Sequence, residues 1–250
     1  MWITPSQKNG KFNIPKRELF KDFDSSFHGL FIPEIPYQMI KRFSKPGDKI
    51  WDCFAGGGTT NYVAQKIGRA NDVFSTDLII TNNKNSAPIL FANVLKNNPL
   101  DNYKNFLNSE TPFKMLFFHP PYHNIINFSK VLNINDKSIQ EQDLSNNATL
   151  EDFLHKMEIS IKNTTQYLSE KGIVILVCGN IWCNNEEIDL GVEVKDKFRK
   201  LGFKSRAHIV KDYGETKAKI FGQGYNLQYY RNLKNNTNFF YGDNIFVLQK

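Results

Sequence analysis

Lys49-Ile50-Trp51-Asp52-Cys53-Phe54-Ala55-Gly56-Gly57-Gly58-Thr59-Thr60 is the stretch that decides how this chain folds. Lys49 to Cys53 reads as a short buried strand, introduced by a turn at Pro46-Gly47-Asp48. The glycines interrupt it, and a helix is expected from Thr59 to about Ile67, ended by Gly68-Arg69-Ala70. Gly56 and Gly58 can take backbone angles that other residues avoid, and they let a ligand approach the main chain closely. Free amides at the start of the following helix would face the same space and suit an anionic group.

The chain continues by alternating strands and helices. Asp72-Val73-Phe74-Ser75-Thr76 predicts a second strand closing on Asp77, where an acid commonly hydrogen-bonds ribose hydroxyls in nucleoside-binding α/β folds. The dinucleotide fingerprint is absent, because Thr59, Thr60 and Asn61 follow Gly58 in place of a third glycine at the required spacing. Ala87 to Leu95 is expected to be helical, and Lys114-Met115-Leu116-Phe117-Phe118 predicts a third strand. Leu150, Phe153, Leu154, Met157, Ile161 and Leu168 recur at helical spacing behind Thr149 as N-cap. Ile173 to Val177 is a continuous apolar run of the kind found in central parallel strands. A helix around Val192–Leu201 stops at Gly202, and Arg206–Val210 and Ile245–Leu248 read as closing strands. Such a series predicts a Rossmann-like, doubly wound α/β sheet, with ligands at the C-terminal ends of its strands.

The rest of the chain fits one domain over residues 1–250. Residues 1–26 read as an irregular arm, and Phe27 to Phe43 as a partly helical segment laid on the core. Residues 123–148 form a polar, Asn-rich insertion with weak helical character. With 40% hydrophobic and 23% charged residues the composition is that of a globular protein, and no apolar run reaches membrane-spanning length. The N-terminus lacks a secretion layout, and the three cysteines show neither zinc spacing nor an even disulfide set. A reducing cytoplasm and no metal are therefore expected. The net charge of +7 would attract polyanions.

His119-Pro120-Pro121-Tyr122 follows directly on the third strand, at the same sheet edge as the glycine turn. An exocyclic amine on adenine or cytosine is a weak nucleophile, its lone pair delocalised into the ring. Two acceptors that take its two N–H bonds can favour a pyramidal nitrogen and aim the lone pair at a methyl sulfonium. Prolines of fixed φ can present the Pro120 carbonyl as one acceptor, and a neutral His119 can supply the other through its unprotonated ring nitrogen. Tyr122 can stack on the base face, and catalysis would be positioning with in-line displacement.

These two elements resemble those of the amino-methylating DNA methyltransferases, which modify adenine N6 or cytosine N4. That family pairs an Asp-Pro-Phe-x-Gly-Ser-Gly-Thr-Thr element with an Asp/Asn/Ser-Pro-Pro-Tyr element. Asp52 to Thr60 matches the first, with Cys53 for Pro and Gly57 for Ser, and His119 to Tyr122 matches the second. The lead-in from Phe27-His28-Gly29 and the last strand Asn244 to Leu248 also fit the family pattern. The resemblance implies a mostly parallel methyltransferase sheet with a closing antiparallel strand. It implies S-adenosyl-L-methionine as cofactor, held by Asp52, Phe54, Ala55, Gly56, Gly58, Thr59, Thr60 and Asp77, and catalysis at His119, Pro120, Pro121 and Tyr122. His119 departs from the family's usual oxygen acceptor and leaves adenine against cytosine open.

The partner so implied is double-stranded DNA with a flipped base, with or without a companion restriction endonuclease, on a monomer or homodimer. DNA contacts are expected from residues 123–148 and 205–241, where Arg206, Lys211, Lys217, Lys219, Tyr225, Tyr229, Tyr230 and Arg231 mix charge with aromatics. Two readings compete. RNA-base and protein-glutamine methyltransferases use a similar Pro-Pro-Tyr turn, and a nucleic-acid-binding subunit with a decayed site would share the motifs without turnover. His28, Asn108 and Ser109 are assigned no role.

Overall fold

Continuous apolar runs let both faces of one sheet be buried at once. A computed structural model describes residues 19–24, 26, 27, 29–80, 88–103, 112–183, 186–212 and 242–250. Among them β1 (Ile50–Asp52), β2 (Val73–Asp77), β3 (Leu90–Phe91), β4 (Phe113–Phe118), β5 (Leu168–Gly179), β8 (Lys204–Asp212) and β9 (Gly242–Gln249) form a seven-stranded sheet ordered β3-β2-β1-β4-β5-β9-β8. A two-stranded hairpin, β6 (Ile181–Cys183) with β7 (Glu186–Ile188), stands apart from it. The first five strands of the large sheet pair in parallel, and β9 runs antiparallel to both its neighbours. This is the expected doubly wound sheet with its antiparallel closing strand.

Side chains at alternate positions go to opposite layers. Met115 and Phe117 of β4, Ile173, Ile175 and Val177 of β5, and Ile245 and Val247 of β9 pack on Ile35, Met39 and Ile40 of α1 (Glu34–Phe43). The residues between them, Leu116, Phe118, Val174, Leu176, Phe246 and Leu248, pack on the other face. There they meet Phe153, Met157 and Ile161 of α5 (Leu150–Thr165) and Val194 and Phe198 of α6 (Leu190–Lys200). Thr149 caps α5 as expected, its hydroxyl accepting the Asp152 N–H at 3.1 Å. The helix after the glycine turn is α2 (Thr59–Lys66), and its Tyr62 hydroxyl donates to Asp22 at 2.6 Å, fastening the segment before α1. The insertion after β4 carries two short helices, α3 (Phe128–Val131) and α4 (Lys137–Gln142).

One expected element is replaced. Residues 88–95 are not helical, and Leu90–Phe91 instead extends the sheet beside β2, with Thr76 opposite Leu90 and Asp77 opposite Phe91. The Ala92 N–H donating to the Asp77 carbonyl at 3.0 Å continues that pairing, so a partner distant in sequence overrides the local helical preference. Residues 1–18 of the expected arm and 213–241 of the second expected DNA-contacting segment lie outside the described residues. Among the described residues no helix is long and apolar enough to cross a membrane.

The strand order reverses between β1 and β4, which leave in opposite directions toward β2 and β5. A crevice at the C-terminal ends of these strands follows from that reversal, because the chain departs to opposite sides.

Candidate active site

The glycine turn is pinned between two strands. The Cys53 N–H donates to the Phe117 carbonyl of β4 at 3.2 Å, and the Ala55 N–H to the Thr76 carbonyl of β2 at 3.1 Å. Gly56 and Gly58 have φ of +50° and +77°, and Gly58 is the N-cap of α2, so both need the left-handed region that glycine enters freely. Gly57 serves a different purpose. A Cβ there would come within 2.8 Å of Leu30 and 2.9 Å of Phe27, so its bareness lets the segment before α1 lie on the turn. Phe27 in turn stacks on Phe128 of α3, with ring centroids 6.1 Å apart and planes 8° from parallel.

Two acids serve this turn from different depths. Asp77 accepts the Gly56 N–H at 2.8 Å through Oδ2 and the Ile79 N–H at 3.1 Å through Oδ1. Asp52 lies beneath, 1% exposed, and accepts the Phe54 N–H at 3.2 Å. Burial pushes Asp52 up to about 7 and Asp77 up to about 6, both from an ordinary value of 3.8.

A cleft of about 240 Å³ opens at this edge of the sheet. Of the residues expected to hold the cofactor, Phe54, Gly56 and Asp77 line it. Asp52, Ala55, Gly58, Thr59 and Thr60 lie behind the wall, where they shape the turn and start the helix. His119, Pro120, Pro121 and Tyr122 all line the same cleft. The two sequence elements, about sixty positions apart, therefore face one space.

His119 sits at the end of β4 with its ring edge-on to Phe31, centroids 4.9 Å apart. Its Nε2 is 3.2 Å from the Tyr122 hydroxyl, which donates to Asp243 Oδ1 at 3.0 Å, and Asp243 Oδ2 is 3.2 Å from Lys211 Nζ. Burial lowers His119 to about 4, so the ring is neutral at physiological pH. Tyr122 rests on the end of β5, where a Cβ on Gly179 would lie 2.9 Å from its ring.

The insertion expected to contact DNA builds a wall of the cleft. Ile125, Ile126, Phe128, Gln142 and Leu144 all border it, as does Asp143. Asp143, 3% exposed, ties this segment together by accepting the Ser129 N–H at 2.9 Å, the Ser145 N–H at 2.8 Å and both serine hydroxyls. Lys211, expected to meet nucleic acid, reaches Asp243 and borders the cleft, and the Arg206 Nε–H donates to Gln249 at 2.7 Å. The other basic and aromatic residues of 213–241, with His28, Asn108 and Ser109, lie outside the described residues.

Gly179, Asp243 and Lys211 carry parts of the site that sequence reasoning missed or placed elsewhere. A signal existed for two of them: Gly179 ends the longest apolar run, and Asp243 stands immediately before the last strand's apolar stretch. Their meeting follows from β5 and β9 pairing antiparallel, with Gly179 opposite Asp243.

No protein-family model and no curated protein matches the chain. Solved structures of similar outline include TrmN from Thermus thermophilus, 16% identical, with 94% of this chain and 52% of that chain aligned and a TM-score of 0.49. The chain thus spans about half the length of that protein. A SAM-dependent methyltransferase from Archaeoglobus fulgidus is 10% identical over 88% of this chain and 95% of that one, with a TM-score of 0.43. One from Methanosarcina mazei is 10% identical over 85% and 96%, also with a TM-score of 0.43. At such distances the activity has to be read from the residues of the cleft.

Proposed function

We propose that this chain is an S-adenosylmethionine-dependent methyltransferase that modifies the exocyclic amine of a base in DNA, adenine N6 or cytosine N4. The observation that carries the reading is the single cleft shared by the braced glycine turn and the His-Pro-Pro-Tyr corner. The cleft suits the cofactor in its donors. Asp77 keeps acceptor capacity beyond its internal hydrogen bonds, enough for a ribose hydroxyl, while Phe54, Ile79, Val94 and Leu144 offer apolar surface to an adenine ring. Bound beside Gly56, S-adenosylmethionine would supply an electrophilic methyl group on a sulfonium.

The residues of the chain then do the positioning. The neutral His119 and the Pro120 carbonyl would accept the two N–H bonds of the amine, directing its lone pair at the methyl carbon. Methyl transfer to the nitrogen would release the cofactor as its neutral thioether, and the methylated amine would pass its surplus proton to solvent. Tyr122, seated on Gly179, offers a ring for the flipped base to stack on, an interaction worth roughly 1–3 kcal/mol. The net charge of +7 would favour encounter with a polyanion.

Expression in a bacterial host lacking its own DNA methylases tests this. Hydrolysed DNA from those cells should contain N6-methyladenine or N4-methylcytosine, and a His119→Ala culture should contain neither. Unmodified DNA from cells holding folded protein, with new methyl groups in RNA or in glutamine side chains, would move the activity to those acceptors.

A further inference from the structure

Lys211, Asp243, Tyr122 and His119 form one hydrogen-bonded series that crosses from the closing strands into the cleft. Its members come from β8, β9 and the turn after β4, and the antiparallel pairing of β8 with β9 sets Lys211 opposite Asp243. The direction of each bond follows from what each group can donate. The lysine ammonium can only donate, so Asp243 Oδ2 accepts from it. An ionised carboxylate cannot donate, so Asp243 Oδ1 must receive the one proton of the Tyr122 hydroxyl. That hydroxyl then has only lone pairs to offer at 3.2 Å from His119 Nε2, and Nε2 must carry the hydrogen.

We propose that Asp243 is a positioning residue that acts through the Tyr122 hydroxyl to hold His119 in its Nε2-protonated tautomer, leaving Nδ1 as the acceptor for the substrate amine. The consequence for the amine rests on the function proposed above, but the tautomer itself does not. A neutral imidazole has one donor and one acceptor, and with the wrong tautomer a donor would face the amine's own hydrogens. Burial keeps the ring neutral, so this choice is real over the physiological range. Among the described residues none hydrogen-bonds to His119 Nδ1, and the ring borders the cleft. Lys211 completes the device by fixing which oxygen of Asp243 faces the tyrosine.

Asp243→Asn provides an isosteric test. Its amide oxygen should turn to Lys211 and its NH₂ to Tyr122, reversing the hydroxyl and driving the histidine proton to Nδ1. In ¹⁵N-histidine-labelled protein at neutral pH, two-bond ¹H–¹⁵N spectra distinguish the two tautomers, with His119 assigned by its loss in His119→Gln. The expected result is an Nε2–H ring in the unsubstituted protein and an Nδ1–H ring in Asp243→Asn. Turnover should fall about a hundredfold or more in the variant with cofactor affinity unchanged, as when an acid behind a catalytic histidine becomes an amide. An Nδ1–H ring in the unsubstituted protein overturns the inference, even if the variant fails to fold. So does an unchanged tautomer in folded Asp243→Asn. Absence of methyl transfer alongside the expected spectra would instead sink the proposed activity and leave the tautomer assignment standing.

Discussion

Asp77 Oδ2 accepts the Gly56 N–H at 2.8 Å, so the acid at the end of β2 is a brace for the glycine turn as well as a wall of the cleft. Truncation and neutralisation should therefore differ. Asp77→Ala leaves the Gly56 amide without its acceptor and should destabilise the fold by about 1–3 kcal/mol in denaturant melts. Asp77→Asn keeps one oxygen for Gly56 but turns an NH₂ toward the Ile79 N–H, so it should melt between the other two proteins and bind S-adenosylmethionine at least about tenfold more weakly by calorimetry. Equal affinity in Asp77→Asn would remove the acid from cofactor binding.

The pH dependence of turnover should report His119. Its ordinary value of 6.5 is lowered to about 4 by burial, and only the neutral ring can accept a hydrogen bond. Rates limited by this group should hold down to about pH 5 and fall as pH drops through about 4. A loss centred near 6.5, with the protein folded throughout, would show that the ring titrates as if exposed.

Asp52 sets an opposite trend in stability. Its value is raised from 3.8 to about 7, so its contribution is fully present below 3.8 and is lost as pH rises through 7. Asp52→Asn preserves an acceptor for the Phe54 N–H and removes the buried charge. The variant should match the unsubstituted protein near pH 4 and exceed it at pH 8, by up to roughly 4 kcal/mol at 1.36 kcal/mol per unit. Parallel stability curves for the two proteins would contradict the burial argument.

Gly179→Ala should separate base engagement from cofactor binding. The new methyl group would stand 2.9 Å from the Tyr122 ring and 3.5 Å from Asp243 Oδ1, forcing the ring off β5 at a cost of about 1–3 kcal/mol. KM for DNA should rise while the dissociation constant for S-adenosylmethionine stays within about twofold. Matching losses in both would mean that Tyr122 does not sit on the base side of the cleft.

Local pattern carried most of the architecture. β4, β5 and β9 announce themselves by apolar residues at successive positions, because both sheet faces are covered and the side chains of those apolar runs are buried. Thr149 is legible because a cap is a local device. Leu90–Phe91 was hidden, since a two-residue strand exists only through its pairing with Thr76 and Asp77. At the site, residue types marked the two elements that meet at the cleft, but depth did not follow from sequence. Nothing local says that Asp52 lies under the turn while Asp77 lines the cleft, or that Lys211 turns inward to Asp243. Those facts come from strand register and from Phe27 and Leu30 settling on Gly57, contacts between distant segments.

The most direct test of the shared cleft is methyl transfer by the purified chain. S-adenosylmethionine with a labelled methyl group would be mixed with duplex DNA, and the nucleosides separated afterwards. Label should appear on the exocyclic nitrogen of adenine or cytosine, and should vanish in His119→Ala while that variant still binds cofactor. Label on a ring carbon, or undiminished transfer by His119→Ala, would contradict the assignment of the amine to the His-Pro-Pro-Tyr corner.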